Sequence, residues 1–286
     1  MDERAALALI ADHVPGAGDD AATVDGTVIT TDMLHERTDF PTGTTRYTAG
    51  WRAVGASLSD IAAMGGDAVA AVAVYAAPTF DGSELQAFLD GASDVCAAVE
   101  ASYVGGDLDS HDEFTVATTA IGSAADPVGR GGATPGDRLC VTGALGRTAA
   151  AMHWFERDPA LANELFQFTP RVRAGQRLAP HATAMIDSSD GLARSLHQLA
   201  ARSDCGFTVD GSTVPVDERL RAVSDEPLRE ATQYGEDFEL IATLPESVVG
   251  TVREAIDDLA VIGTVTETDI TMDGDPVPDA GYTHGR

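Results

Sequence analysis

Five short motifs set an Asp beside Gly, Ser or Thr: GDDAA with Asp19 and Asp20, TTD with Thr30, Thr31 and Asp32, SD with Asp60, GGD with Gly106 and Asp107, and DSSDG with Asp187, Ser189 and Asp190. Carboxylates are hard oxygen donors, and small or hydroxylated neighbours let backbone N–H groups or hydroxyls reach the same ion or phosphate. The pattern reads as a site for several magnesium ions that could hold a polyphosphate. All 18 basic residues are Arg, so a GxxxxGK[ST] phosphate loop is impossible, and no GxGxxG turn joins a strand to a helix. Metal ions would then neutralise phosphate charge in place of lysine.

Each motif also has a plainer reading. In a chain with 46 acidic residues and a net charge of -28, most acids are solvated surface. What counts is an Asp flanked by small residues and apolar segments. Asp19 and Asp20 make an acidic turn unless a cation bridges them, because adjacent carboxylates repel. Thr30 to Asp32 could close an edge strand, Gly106 and Asp107 could form a turn, and Ser189 or Asp190 could cap a helix. Asp60 stands apart, since it falls near the apolar face of a helix and an Asp there needs a partner. Arg130 could stack on a base or grip a phosphate, or simply be solvated. Glu236 and Asp237 in YGEDFEL precede a strand, where a charged turn is the plain alternative. His35, His111 and His197 lack ligand spacing, and Ser188 and Ser189 have no nearby His as base, so covalent catalysis is disfavoured.

The elements that must position these residues follow from periodicity. A helix is expected at 5–13 and strands at 21–24 and 28–31, so two Asp motifs bracket a hairpin. Val54, Leu58, Ile61 and Ala62 predict a helix over 45–64, stopped by Gly65 and Gly66. The apolar run 68–77 reads as a buried strand, 85–99 as an amphipathic helix, 102–104 as a strand leading into Gly105, Gly106 and Asp107, and 114–121 as a further strand. The Gly- and Pro-rich stretch 124–135 marks a boundary, giving domains at 1–124 and 125–286. Beyond it, strands are expected at 138–142, 184–186, 238–243 and 261–265, with helices at 147–155, 192–201 and 246–259. The fold class is α/β (α+β): an N-terminal mixed sheet with helices on one side, then a C-terminal α/β domain.

Composition narrows the partners. A pI of about 4.3 excludes a basic nucleic-acid footprint and an anionic membrane surface. Abundant acids with Arg as the only base resemble proteins that work in concentrated cytoplasmic salt, where charge is screened. Cys96, Cys140 and Cys205 are too dispersed for a disulfide framework or a zinc site. No run approaches 18 apolar residues and the start lacks a signal-peptide pattern, so the expected location is the cytoplasm.

In order, GDDAATV, TTDMLHERTDF, GWRAVGASLSDIAAMGG, VGGD, GRGGATPGDRLCVTGALG, IDSSDGLARSLHQL, YGEDFEL and the terminal GY resemble the thiamine-monophosphate kinase family, of the haloarchaeal type. That family belongs to the ATP-binding, PurM-like superfamily that includes aminoimidazole ribonucleotide synthetase. The resemblance spans about residues 15–282 and is most specific in GWRAVGASLSDIAAMGG and IDSSDGL. It implies transfer of the γ-phosphoryl of ATP to thiamine monophosphate, with several Mg²⁺ ions, no phosphoenzyme, and a homodimer paired through N-terminal sheets. It implies magnesium ligation by Asp20, Thr30, Thr31, Asp32, Asp60, Asp107, Asp187 and Asp190. ATP contacts would come from Gly106, Asp107, Arg130 and Ser189, and thiamine contacts from Glu236 and Tyr282. Asp39 stands where bacterial members carry a substrate-contacting His; it could accept from the aminopyrimidine or pair with the thiazolium, but would repel phosphate. Sister activities, selenophosphate synthesis and a hydrogenase-maturation dehydration, would show a reactive Cys near the N-terminal glycine loop or at the C-terminus, and neither is present. A noncatalytic sensor would have lost motif aspartates, whereas all remain. The blandest alternative is surface acids on an unrelated fold.

Overall fold

A computed structural model describes residues 16–281 together with residues 6, 9, 10, 13 and 14. Tyr282 and much of the expected helix at 5–13 therefore lie outside the described residues.

The first half carries β1 (Ala22–Val24), β2 (Thr27–His35), α1 (Glu36–Asp39), α2 (Arg46–Ala63), β3 (Asp67–Ala77), α3 (Gly82–Ala98), β4 (Ser102–Ser110) and β5 (Thr115–Ser123). Its sheet runs β1-β2-β5-β3-β4, antiparallel except for β3 and β4, which α3 joins as a parallel crossover pair. Thr45 caps α2 by accepting from Thr48 N, and Gly65 at φ 69° ends it in the left-handed turn that favours glycine. Helices α2 and α3 cross at touching distance. A Cβ at Gly50 would lie 2.2 Å from Phe88 O, and one at Gly91 would lie 2.0 Å from Tyr47 O. Two glycines thus let the helices approach closely over one face of the sheet.

Two expectations change here. The strand expected to stop at Val104 continues to Ser110, so Gly105, Gly106 and Asp107 pair with Val72, Ala73 and Val74 instead of turning. Glycine allows this, because a Cβ at Gly106 would sit 1.8 Å from Ala73 O. The apolar run expected to be buried on both faces is buried on one: Val72 and Val74 are 37% and 39% exposed while Ala71, Ala73 and Tyr75 are buried. The other face, with Ile29, Met33 and Ile121 also exposed, is an open apolar surface.

The second half contains β6 (Arg138–Thr142), α4 (Arg147–Phe155), α5 (Pro159–Phe166), α6 (Val172–Leu178), β7 (Ala184–Asp187), α7 (Leu192–Ser203), β8 (Gly206–Val209), α8 (Glu218–Arg221), α9 (Pro227–Gln233), β9 (Leu240–Leu244), α10 (Glu246–Ala255), β10 (Leu259–Thr266), β11 (Ile270–Met272) and β12 (Asp275–Pro276). Its sheet runs β12-β11-β8-β10-β6-β9-β7. The expected strand 238–243 begins only at Leu240, because Glu236 and Phe238 take left-handed φ of 63° and 55°. The short strands β8, β11 and β12 and the helices α5, α6, α8 and α9 go beyond the sequence expectations.

Helix α2 joins the two halves. Asn163 donates to Gly43 O and accepts from Thr45 N, Gln167 donates to Thr48 Oγ1, and Trp51 Nε1 donates to Phe168 O. Near its far end a Cβ at Gly175 would stand 2.1 Å from Ala62 O, so α6 rests directly on α2. The helix that carries Asp60 is thereby fixed to both sheets.

Candidate magnesium and phosphate site

Strand β2 presents Thr30 and Asp32 on the face covered by α2, as the two-residue period requires, while Thr31 falls on the open face. Thr30 Oγ1 donates to Asp60 Oδ2 at 2.5 Å. Ser57, one turn before Asp60, donates to Asp32 Oδ2 and shares a second hydrogen bond with Thr118 across from it on β5, both at 2.7 Å. The second half reaches the same place through β7. Ser59 Oγ donates to Asp187 Oδ2 at 2.7 Å, and the hydroxyl and backbone N–H of Ser189 donate to Asp187 Oδ1 at 2.6 and 3.1 Å. The result is one cluster: a carboxylate oxygen from each of Asp20, Asp60 and Asp187 lies within 4.8 Å of the others.

Positive charge in this cluster is scarce. Arg130 grips Asp20 through Nη2 at 2.9 Å and Nε at 3.3 Å, and its backbone N–H donates to Asp19. Burial, then repulsion from Asp32, Asp187 and Asp20, holds the Asp60 carboxyl well above its usual range despite the Thr30 hydrogen bond. Burial and the charge of Asp20 push Asp187 up to about 7. Among the described residues three carboxylates share a buried spot with one guanidinium, and their hard oxygen donors are of the type that divalent cations take.

The remaining candidates fall elsewhere. Asp107 pairs with Val74 and so stands on the open face with Thr31, with its Oδ1 accepting from Leu108 N. Gly106 faces the opposite way, against Ala73. Asp190 is partly buried just before α7 and accepts from Gln198. Asp39 is turned inward at 7% exposure, its Oδ2 accepting from His35 N and Thr38 Oγ1. Glu236 lies in the loop before β9, where Arg52 Nη2 meets its Oε2 at 2.7 Å. Ser57, Ser59 and Arg52 were not singled out as site residues by the sequence. The available signal was the placement of Ser57 and Ser59 beside Asp60 on an otherwise apolar helix, with Arg52 as the lone charge between Arg46 and Asp60.

Residues 18–124 match the N-terminal domain of AIR synthase related proteins and residues 134–273 match their C-terminal domain, which makes this a two-domain protein of that class. The chain is 59% identical to thiamine-monophosphate kinase of Halobacterium salinarum over 99% of its own length and 100% of that protein's. It is 39% identical to the corresponding enzyme of Methanospirillum hungatei, over 99% of each chain. Among solved structures, that of AaThiL complexed with AMPPCP and TMP superposes with a TM-score of 0.92 at 26% identity, covering 99% of this chain and 97% of that one. Hydrogenase maturation protein HypE in complex with ATP, at 19% identity and a TM-score of 0.70, shares the fold alone. The chain belongs to the thiamine-monophosphate kinase family.

Proposed function

We propose that this kinase transfers the γ-phosphoryl of ATP directly to the phosphate of thiamine monophosphate, giving thiamine diphosphate, with several magnesium ions assisting. The observation that carries the reading is the junction cluster itself, in which Asp20, Asp60 and Asp187 come from both halves of the chain with too little positive charge among them. Oxygen donors of this kind fit Mg²⁺. Asp20, Thr30, Asp32, Asp60 and Asp187 would hold it, with Thr31, Asp107 and Asp190 added from the family resemblance. Bound there, magnesium would offset the charge of the phosphates and of the group in transfer.

The chain's own residues bind and orient. Arg130 and Ser189, both touching carboxylates of the cluster, are assigned to ATP from the resemblance, as are Gly106 and Asp107. Glu236, Asp39 and Tyr282 are assigned to the thiamine moiety. Direct transfer is supported by the hydroxyls in the cluster: Ser57, Ser59 and Ser189 donate to carboxylates, with no His among the described residues bonded to them as base. It predicts inversion of configuration at the transferred phosphorus.

A homodimer is the proposed working form. The open face of the first sheet exposes Ile29, Met33, Val72, Val74 and Ile121, an apolar surface of the kind a partner covers. Thr31 on β2 and Asp107 on β4 share this face but stand three strands apart, roughly 14 Å at the usual strand spacing. A second copy seated on this face would enclose both. The N-terminal domain is thus assigned ATP, magnesium and dimerisation, and the acidic surface suits a cytoplasm rich in salt.

Thiamine diphosphate formation from ATP and thiamine monophosphate in concentrated KCl, titrated with MgCl₂, tests the reading. Activity that needs Mg²⁺ and is abolished in Asp60→Asn is expected. Undiminished turnover by Asp60→Asn would refute the metal role, and product only with a different phosphate ester would refute the acceptor.

A further inference from the structure

Arg52 is 2% exposed, and among the described residues all its polar partners lie in the other half of the chain, at the end of α5 and in the loop before β9. It sits on α2 two helical turns before Ser59, so it shares a rigid element with the residues that hold the carboxylate cluster. Its Nη2 donates to Glu236 Oε2 at 2.7 Å and to Glu236 O at 3.0 Å, and its Nη1 donates to Phe166 O at 2.7 Å. The guanidinium lies 3.7 Å over the Phe166 ring, beside Phe168 and Phe238, which stack on each other at 4.1 Å. The loop needs this grip, because Glu236 and Phe238 both have left-handed φ without being glycine. Thr148 Oγ1 takes the same Glu236 carbonyl, and Glu236 N donates to Ser189 O. A buried ion pair is a poor device for stability alone, since desolvation offsets most of the attraction. What it does supply is fixed geometry between α2 and residue 236.

We infer that Arg52 is a positioning residue that sets Glu236, and with it the organic moiety of the acceptor, at a fixed distance from the carboxylate cluster. The assignment rests on the reading of Glu236 as an acceptor contact. Among the described residues no hydrogen bond occupies Glu236 Oε1, so Arg52 orients the carboxylate while leaving one oxygen for the substrate.

Steady-state kinetics of Arg52→Met, Arg52→Lys and Glu236→Gln in concentrated KCl, with each substrate varied in turn, tests it. Arg52→Met is expected to raise KM for thiamine monophosphate about 10- to 100-fold and change KM for ATP less than about 2-fold, with Arg52→Lys falling between it and the parent. Glu236→Gln is expected to raise the same KM, and the double variant to show less than the sum of the two effects. Equal rises in both KM values for Arg52→Met would reduce Arg52 to a structural role and overturn the inference. An unchanged acceptor KM in Arg52→Met beside a raised one in Glu236→Gln overturns it while leaving Glu236 as a contact. An unchanged acceptor KM in Glu236→Gln removes the underlying reading itself. If Arg52→Met does not fold, Arg52→Lys decides: an acceptor KM equal to the parent's overturns the inference.

Discussion

Two groups of buried acids lie side by side on the β7–β9 ladder, and they are built on opposite plans. Asp187 ends β7 opposite Leu240, and Ser188 N donates to Glu239 O, so Asp187 and Glu239 are close neighbours. Around Glu239 and Asp237 the protein supplies its own donors. Arg171 takes both Glu239 oxygens at 2.6 Å, Thr142 adds a hydroxyl, and the backbone N–H groups of Gly146 and Thr148 at the start of α4 meet Asp237 at 2.5 and 2.9 Å. Around Asp20, Asp60 and Asp187 there is, among the described residues, one guanidinium and a few hydroxyls. Burial raises the carboxyl pKa in both groups, but only in the second is repulsion between acids among the leading causes for each member that shifts. Burial of the acids is common to both groups; what separates them is the deficit of internal donors and positive charge around Asp20, Asp60 and Asp187.

The sharpest way to break that contrast is Asp60→Asn. Removing one charge from the cluster is expected to abolish turnover by at least about a thousandfold while raising the melting temperature measured without divalent metal. The two signs together separate a ligand from a structural acid. A fall in both would make Asp60 part of the scaffold.

Arg171→Met probes the other group. Leaving Glu239 buried without its cation is expected to cost about 3–5 kcal/mol in urea unfolding, with MgCl₂ giving no specific rescue and turnover per folded molecule largely kept. Rescue by Mg²⁺ would erase the distinction between the groups.

Much of this contrast was legible in the sequence, and some was not. Asp20, Asp60 and Asp187 stand in motifs whose small and hydroxylated neighbours single them out, and α2 follows from apolar spacing and a glycine stop. Helices on one side of the first sheet were expected, but the exposure of β3 on the other side was not legible, because Ala68 to Ala77 contains small apolar residues on both sides of the strand and its period is hidden. Nor was the extent of β4: Gly105 and Gly106 read locally as a turn, whereas they pair with Val72 and Ala73 of β3 in a ladder that runs on to Ser110. Glu239 and Asp237 look as acidic as the cluster, and their donors come from Thr142, Gly146, Thr148 and Arg171, far away in sequence. Pairing of this range is a tertiary fact that local patterns do not encode.

Acidity separates the groups by pH range and by metal. The Asp187 pKa rises from 3.8 unfolded to about 7 folded, so the folded state binds the proton more tightly. Without divalent metal, stability should therefore be fullest near pH 4, decline as pH rises towards 7, and level off above it; three units correspond to about 4 kcal/mol. Asp237, at about 6, adds a decline of the same sign that ends at lower pH. Saturating Mg²⁺ should restore stability lost at the cluster above pH 7 and leave the Asp237 part untouched. Unfolding free energies against pH with EDTA and with MgCl₂ measure the two parts, and an identical pH slope in both would remove the cluster as a cation site.

The smallest effect tests how the cluster is held. Ser59 stands on α2 and its hydroxyl donates to Asp187 on β7, so this hydrogen bond, like those of Arg130 to Asp20, spans the two halves at the site. Deleting it frees one carboxylate oxygen without changing the charge. Ser59→Ala is therefore expected to raise the Mg²⁺ concentration needed for half-maximal activity about tenfold, the usual loss for a partner that orients a ligand, with kcat at saturating metal reduced only a few-fold. Stability should change by about 1 kcal/mol, because Ser189 still donates twice to the same carboxylate. The corresponding deletion in the self-sufficient group, Thr142→Val, removes a hydroxyl from Glu239 at 2.6 Å and should leave the Mg²⁺ requirement unchanged. A shift of equal size in both variants would mean that the two groups act as one network, with the metal felt across β9 as strongly as at Asp187.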